Sequence, residues 1–199
     1  MGTLMKKNPK KVNYFDFFKT VGKSKRLLRS GWIREKIEDP ESIAEHSFRV
    51  GVLAMVLSDK LGVALDKDKL IKMSLLHDLG ELVTGDVVTE RKGIIDIRKR
   101  DKKEIEEKEG IRKIFEKIGE GNRYADIFEE MIERVTPESK VFWQLDKLEM
   151  AIQGYEYEEE QDKNLEEFFT SASLHITEPL LKEIFDHVLK KRPKKRTVF

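Results

Sequence analysis

The chain has 199 residues, a length that usually folds around one hydrophobic core. Its 39 basic and 38 acidic residues nearly cancel, so no overall charge favours binding to nucleic acid or to an anionic membrane. The absence of cysteine excludes disulfides, thiolate metal sites and cysteine nucleophiles. The sequence has neither a run of about 18 uncharged apolar residues nor a secretory signal, so we expect a cytoplasmic protein without a membrane span.

Apolar residues recur at helical spacing and seldom alternate with polar ones, which predicts an all-α protein with almost no sheet. We expect a single domain over residues 1–199, with a core at about 13–189 and a basic C-terminal tail at 190–199. The predicted helices, in chain order, cover about 14–28, 42–62, 66–79, 98–120, 124–135, 137–157, 165–174 and 179–189.

Several helix boundaries have recognisable signals. The pair Ser30-Gly31 is expected to end the first helix. Ser42 is the predicted N-cap of the second helix, since Glu45 follows it by three residues and completes a capping box. Gly62 is expected to end that helix in the left-handed conformation that glycine adopts most easily.

Two segments in the middle of the chain differ in character. Residues 82–97 contain two glycines and mixed polarity, which favours a functional loop. Residues 98–120 are heavily charged with few apolar positions, a pattern typical of a solvent-facing helix with ion pairs four residues apart.

Four residues form the strongest candidate for a site that performs chemistry. His46 lies in the first turn of the second helix, and the His77-Asp78 pair ends the third. Asp146 lies within an apolar stretch at 141–148, where a carboxylate is costly to bury without a cation or hydrogen bonds. Two nitrogens and two carboxylates suit a divalent ion such as Mn²⁺, Co²⁺, Fe²⁺ or Mg²⁺, with coordination positions left for water and substrate.

The motifs that contain these residues resemble a known family. The segments EHS at 45–47, LHDLGE at 76–81 and LDK at 145–147 are similar to the H…HD…D signature of the HD-domain superfamily of metal-dependent phosphohydrolases. The longer run at 77–86 resembles the bacterial 5′-deoxynucleotidases and the eukaryotic HD domain-containing protein 2 group, and the similarity extends over about 31–157. The resemblance implies an HD-domain helical bundle that removes the 5′-phosphate from deoxyribonucleoside and related monophosphates.

The resemblance also implies a role for each site residue. Glu81 would position or deprotonate the attacking water, and its place four residues after His77 puts it on the same side of a further helical turn. Asp86 would be a second essential carboxylate near the sugar. The implied ligands of one divalent metal per chain, with Mn²⁺, Co²⁺ or Mg²⁺ as first candidates and Fe²⁺, Zn²⁺ or Ni²⁺ as others, are His46, His77, Asp78 and Asp146.

Phosphate binding requires a cation besides the metal. The deoxynucleotidases have a basic residue directly before a tryptophan, whereas here Gly31 precedes Trp32, which departs from the bacterial pattern. Arg29 is therefore the first candidate for the phosphate ligand and Arg34 the second, with Trp32 beside them.

Dinuclear members of the superfamily have additional histidines between the HD pair and the last aspartate. This chain has none there, and His175 and His187 fall later on amphipathic helices, where we expect packed or surface side chains. The sequence therefore predicts a single catalytic metal.

Two other functions stay open at this stage. The same ligands would serve a hydrolase of (p)ppGpp or of a nucleoside triphosphate. A nucleic-acid-binding or scaffold protein, which would use the basic residues at 190–196, is the less favoured alternative, since aromatic residues are not interleaved there. The family resemblance implies a homodimer, and the last two helices have enough apolar residues for both a core and a dimer face.

Overall fold

The computed structural model describes residues 12–86, 90–91, 94–95 and 97–193. The fold is all-α, as the sequence predicts, and two two-residue strands, β1 (Glu90–Arg91) and β2 (Ile94–Ile95), pair as an antiparallel hairpin. Helices α1 to α10 cover Tyr14–Val21, Ser30–Arg34, Ile43–Leu57, Lys67–Leu76, Glu81–Thr84, Ile97–Glu116, Gly121–Glu133, Pro137–Gln161, Glu166–His175 and Pro179–Lys191.

The first predicted helix is shorter than expected. Helix α1 ends at Val21 and continues as a 3-10 helix over Gly22–Arg26. The hydroxyl of Ser24 donates to the carbonyl of Val21 at 2.7 Å, a local bond that competes with the α-helical pattern. The prediction that Ser30-Gly31 ends a helix is wrong, because Ser30 begins the short helix α2.

The second predicted helix begins as expected and ends early. The Ser42 side chain accepts from the backbone N–H of Glu45 at 3.3 Å, and Glu45 Oε2 accepts from the Ser42 N–H at 2.7 Å, which confirms the capping box. Helix α3 ends at Leu57, and a 3-10 turn follows at Ser58–Lys60. Gly62 is not left-handed, because the chain has already left the helix through that turn.

The long helix α8 lies at the centre of the fold. It packs against α3, α4, α7, α9 and α10. Phe142, Leu145 and Leu148 on this helix are fully buried in a hydrophobic cluster that extends from Phe17 to Phe185. Because α3, α4 and α8 meet in this core, polar side chains that they direct toward one another are held away from water.

Helix α6 is only partly the solvent-facing helix that its charges predict. Arg100–Glu104 and Lys102–Glu106 are ion pairs four residues apart, with N–O distances of 3.5 and 3.7 Å. The opposite face is buried, because α6 packs against α5 and α7. Its buried residues are Glu107, Gly110, Ile111, Ile114 and Phe115.

Two of the predicted segments lie partly outside the described residues. The expected loop at 82–97 contains the end of α5 and the small hairpin, while 87–89, 92–93 and 96 are not described. Of the predicted basic tail, residues 194–199 are not described. Within the described part of the chain, none of the helices is long and apolar enough to cross a membrane.

Candidate metal centre and active site

Three separate helical elements bring the four predicted metal ligands together. His46 comes from the first turn of α3, His77 and Asp78 directly follow α4, and Asp146 lies in the middle of α8. All four are buried, and none exposes more than 8% of its surface. Because α3, α4 and α8 pack against one another, His46 and Asp146 are in contact although they lie 100 residues apart in the sequence.

The distances between the donor atoms fit a shared cation. His46 Nε2 lies 3.1 Å from His77 Nε2 and 3.0 Å from Asp146 Oδ1. His77 Nε2 lies 3.1 Å from Asp78 Oδ2. Adjacent donors at right angles around an ion, with bonds of about 2.1 Å, are separated by about 3 Å. His46, His77 and Asp78 thus have the spacing of ligands of one divalent cation, and Asp146 lies next to this group through its contact with His46.

The second nitrogen of each imidazole has its own hydrogen-bond acceptor. His77 Nδ1 lies 2.8 Å from the carbonyl oxygen of Ser74, and His46 Nδ1 lies 2.5 Å from Oε2 of Glu149. Since a carbonyl accepts only, Nδ1 of His77 carries the proton and its Nε2 presents a lone pair. Glu149 favours the same tautomer in His46. The two Nε2 atoms, which face each other beside two carboxylates, form a site that favours a positive charge, either a proton on a ring or a bound cation.

The pKa shifts of His46 and Asp146 agree with a site that favours positive charge. Burial and the charge of Arg29 lower the pKa of His46, but Glu149 and Asp146 outweigh them and raise it to about 10. Burial raises the pKa of Asp146, yet His46 and Lys147 together hold that carboxyl well below its usual range. The cluster therefore keeps its carboxylates ionised and attracts positive charge.

The two candidate phosphate ligands occupy different places. Arg29 Nη1 donates to Asp78 Oδ2 at 2.7 Å, so its guanidinium lies directly against a predicted metal ligand. Arg34 also lines the pocket, but its guanidinium is held by Glu35 at 2.8 Å and by Glu167 at 3.2 Å. Arg29 is thus the one of the two that lies beside the metal centre.

Trp32 is a largely buried residue of the pocket lining. Its side chain is almost fully buried at 1% exposure, and its indole N–H donates to Glu41 at 2.8 Å. The ring stacks on Phe168 with centroids 4.3 Å apart and meets Tyr157 edge-on. Since its only donor is used by Glu41, Trp32 offers a substrate no hydrogen bond, and a role in substrate binding stays a prediction.

The two predicted catalytic carboxylates also reach the pocket. The chain turns after His77 and begins α5 at Glu81, whose Oε1 accepts from the ammonium of Lys103 at 2.7 Å. Asp86 Oδ2 accepts from the backbone N–H of Ser30 at 2.6 Å and so ties the segment after α5 to the start of α2.

Sequence reasoning missed three charged residues near the site. Glu149 follows Asp146 by three residues, a helical spacing that could have indicated a shared face. Lys103 and Glu107 lie four apart on α6 and were grouped with its surface charges. The last two histidines were expected to be packed or exposed. His175 is half-buried and lines the pocket, and His187 is exposed.

The pocket combines charged and apolar surfaces. The apolar part of its lining includes Phe128, Met131, Ile132 and Trp143 from α7 and α8. Basic residues surround its acidic cluster, and these are Arg29, Arg34, Arg100, Lys103, Arg134 and Lys147. Such a pocket suits a ligand that has both an anionic group and an apolar part.

The fold and the site define an all-helical protein with a buried histidine–aspartate centre for a divalent cation. The family model described as "HD domain" matches residues 21–188, and the chain belongs to the HD-domain family. This match confirms the predicted membership of the HD-domain superfamily of metal-dependent phosphohydrolases.

Relatives of known name match most of the chain. It is 36% identical over 183 residues to "5'-deoxynucleotidase HDDC2" of Dictyostelium discoideum, covering 86% of this chain and 94% of the relative. The Danio rerio protein of the same name is 34% identical over 164 residues, with coverage of 80% and 78%. Among solved structures, a conserved hypothetical protein from Pyrococcus furiosus superposes with a TM-score of 0.73 at 32% identity, covering 88% of this chain and 98% of its own.

Proposed function

We propose that this protein is a 5′-deoxynucleotidase, which hydrolyses the 5′-phosphate of deoxyribonucleoside monophosphates and, with selectivity still to be measured, of ribonucleoside monophosphates. The observation that carries the proposal is the buried cluster of His46, His77 and Asp78, whose potential ligand atoms lie within 4.8 Å of one another, with Asp146 Oδ1 3.0 Å from His46 Nε2. The names of the relatives from Dictyostelium discoideum and Danio rerio support the substrate class.

The proposed cofactor is one divalent cation per chain, held by these four side chains. Mn²⁺, Co²⁺ and Mg²⁺ are the first candidates, and Fe²⁺, Zn²⁺ and Ni²⁺ also suit the donor set. When bound, the cation would lower the pKa of water and offset charge on the phosphoryl oxygens. Among the described residues, a second group of potential ligands is formed by Glu41, His46 and Glu149, but it shares His46, whose Nδ1 is already bound to Glu149. A single metal is therefore the simpler proposal.

The chain's own residues would bind the phosphate and accept the proton. Arg29, 2.7 Å from Asp78, would contact a phosphoryl oxygen beside the metal centre, with Arg34 as a more distant cation. Glu81 would accept a proton from the attacking water, and Asp86 would lie near the sugar. Arg29 is a permanently charged hydrogen-bond donor, so it would bind the phosphate, and the buried carboxyl group of Glu81 would accept the proton.

The shape of the pocket supports a nucleotide as the substrate. Its basic residues suit a phosphate, and the apolar wall that includes Phe128, Met131 and Trp143 suits a base. Trp32, which also lines the pocket, would support this surface through its stacking contact with Phe168.

The experiment that tests the function is phosphate release from a panel of deoxyribo- and ribonucleoside 5′-monophosphates. The protein is stripped of metal and reloaded with Mn²⁺, Co²⁺ or Mg²⁺, and wild type is compared with Asp146→Asn and Glu81→Gln. A matched control is Glu106→Gln, whose side chain is 52% exposed on α6. We expect metal-restored release that is lost in Asp146→Asn, strongly reduced but measurable in Glu81→Gln, and retained in the control.

Two other results would contradict the monophosphatase assignment. Release of pyrophosphate from (p)ppGpp, or hydrolysis of nucleoside triphosphates without monophosphate turnover, would assign another substrate to the same site. A wild type that binds the metal and cleaves no nucleotide, yet binds nucleic acid in a salt-sensitive way, would favour the binding-protein alternative.

A homodimer and a cytoplasmic location are also part of the proposal. The apolar residues of the last helices that were expected to form a dimer face are mostly in the core, since Phe168, Phe169, Leu181 and Phe185 are buried. Exposed apolar side chains are found instead on α1 and α3, and they include Phe15, Phe18, Phe48 and Met55. Sedimentation equilibrium of wild type against Phe48→Ser would test whether this surface holds two copies together.

A further inference from the structure

Lys103 is a lysine of α6 whose charged end is turned inward. Its ammonium lies 2.7 Å from Glu81 Oε1 and 3.3 Å from Glu107 Oε1, and its side chain is 19% exposed. The neighbouring Lys102 is 78% exposed and pairs with Glu106 on the outer face of the helix. Two adjacent lysines therefore have opposite environments, and only Lys103 lines the pocket.

Close packing between α6 and the turn before α5 brings Lys103 to this place. A Cβ added to Gly80 would lie 2.6 Å from Glu107 Cβ and 2.9 Å from the Glu107 carbonyl oxygen. A Cβ added to Gly110 would lie 3.1 Å from the Gly80 carbonyl oxygen. The two glycines allow the backbones to touch, and the side chain of Lys103 reaches Glu81 across this contact.

Lys103 forms a hydrogen bond to only one of the two carboxylate oxygens of Glu81. Oε1 accepts its hydrogen bond, whereas Oε2 is buried and meets no hydrogen-bond donor among the described residues. Burial alone would lower the pKa of Lys103, but the carboxylates of Glu81 and Glu107 outweigh it and raise that pKa above its usual value. Burial and the charge of Asp78 raise the pKa of Glu81 well above its usual value, and Lys103 opposes this rise, so the ammonium both holds the carboxyl group from one side and favours its ionised form.

We propose that Lys103 is a positioning residue, which holds Glu81 by Oε1 and leaves Oε2 as the oxygen that accepts the proton of the attacking water. In this step the water O–H bond breaks, its proton moves to Oε2, the water oxygen forms the new bond to phosphorus, and the bond between phosphorus and the 5′-oxygen breaks; the leaving 5′-oxygen takes a proton from solvent water and departs as the alcohol. The inference rests on the proposed phosphomonoesterase function, and Glu107 is the second anchor of the lysine.

A kinetic double-mutant cycle tests the proposal. Lys103→Met, Glu81→Gln and the double variant are compared with wild type, with Lys103→Arg as the conservative variant and Lys102→Met as the matched control. We expect Lys103→Met to lower kcat roughly 10- to 100-fold while KM changes by less than about threefold, because proton transfer and not phosphate binding is affected. Lys103→Arg should recover part of the loss, and Lys102→Met should match wild type.

The cycle separates positioning from an independent role. If Lys103 acts through Glu81, Lys103→Met has little further effect in the Glu81→Gln background. An equal loss of kcat in both backgrounds, or a rise in KM alone, would overturn the inference and assign the lysine to direct phosphate binding. The affinity for Mn²⁺, measured by calorimetry, should stay the same in Lys103→Met, and a large loss would also count against it.

Failure of the inference and failure of the proposed function give different results. A wild type that releases phosphate from none of the nucleotides overturns the function, and the inference falls with it. An active wild type with an unaffected Lys103→Met variant overturns the inference alone. The same variants, compared by urea unfolding, report whether the Lys103–Glu81 pair is coupled in the protein without any measurement of activity.

Discussion

The imidazole of His46 lies 2.5 Å from Oε2 of Glu149 through its Nδ1, and both side chains are fully buried. Arg49 Nε donates to the other oxygen of Glu149 at 2.8 Å and is itself held by Glu156. Glu149 is therefore fixed from two sides, and it directs Nε2 of His46 toward Asp146. A carboxylate behind a ligating histidine orients the ring and strengthens it as a donor.

Replacing Glu149 by Gln should weaken metal binding. The amide keeps the size of the side chain but loses the charge that supports His46, so we expect the affinity for Mn²⁺ to fall roughly 10- to 100-fold. Calorimetric titration of the metal-free protein measures this. The control is Glu156→Gln, whose carboxylate is 39% exposed and contacts Arg49 but not the histidine, and it should change the affinity by less than about threefold. Equal affinities of Glu149→Gln and wild type would contradict the prediction.

Replacing Arg29 by Met should impair phosphate binding. The guanidinium beside Asp78 is a charged donor, and a hydrogen bond to a charged group contributes about 1.5–3 kcal/mol, so kcat/KM should fall roughly 10- to 150-fold. Steady-state kinetics on a deoxyribonucleoside monophosphate measures the loss. Arg26→Met, at an exposed position of the same connecting segment, should leave kcat/KM unchanged. An Arg29→Met variant with unaltered kinetics would remove Arg29 as a phosphate ligand.

Replacing Gly80 by Ala should destabilise the protein. The new methyl group would lie 2.6 Å from Glu107 Cβ and 2.9 Å from backbone atoms of Glu107, so α6 has to move away from the turn. Overpacking of this kind costs about 1–3 kcal/mol in the free energy of unfolding, measurable by urea denaturation. At Gly62 an added Cβ meets nothing within 4 Å, so Gly62→Ala should change stability by less than about 1 kcal/mol. Similar stabilities of the two variants would show that α6 adapts freely.

The stability of the metal-free protein should fall as the pH rises through Glu107's titration. Burial raises the pKa of Glu107 from 4.5 to about 7 even though Lys103 opposes it. Between these values the folded state keeps a proton that the unfolded state has lost, so stability decreases with rising pH, by about 2–3 kcal/mol in total. Glu107→Gln should remove most of this decrease in urea unfolding between pH 5 and 8.

Glu106→Gln is the control for this pH dependence, because Glu106 is 52% exposed on the same helix. It should follow the wild-type curve. If Glu107→Gln also follows that curve, Glu107 titrates near its ordinary pKa in the folded protein.

The four predicted metal ligands could be proposed from the sequence for a specific physical reason. Asp146 lies among residues that have to be buried, and His77-Asp78 follows two leucines, so each charge is conspicuous against its neighbours. Lys103 and Glu107 do not differ in this way from their neighbours in the sequence. They lie in a helix where most positions are charged, and the spacing of two charges is the same whether they face water or a pocket.

The start of α3 was predicted correctly because its cap is local, whereas the start of α2 was missed and involves a residue far away in the sequence. Ser42 and Glu45 cap α3 by local bonds, which the sequence shows directly. Ser30 begins a helix where an end was expected, and its N–H is bound by Asp86, 56 residues later. A bond between segments so far apart leaves no local pattern.

The sequence by itself determined the helical class, the family and the types of side chain available to a divalent cation, because helical periodicity and the short HD motifs are local properties. Tertiary structure alone decided which charges face the site. The packing of α3, α4 and α8 sets the distances between the four predicted metal ligands. The close contact of Gly80, in the turn before α5, with α6 accompanies the approach of Lys103 to Glu81. Those distances depend on how helices approach one another, and the close approach is fixed by side-chain volume across the interface and not by the order of residues along either helix.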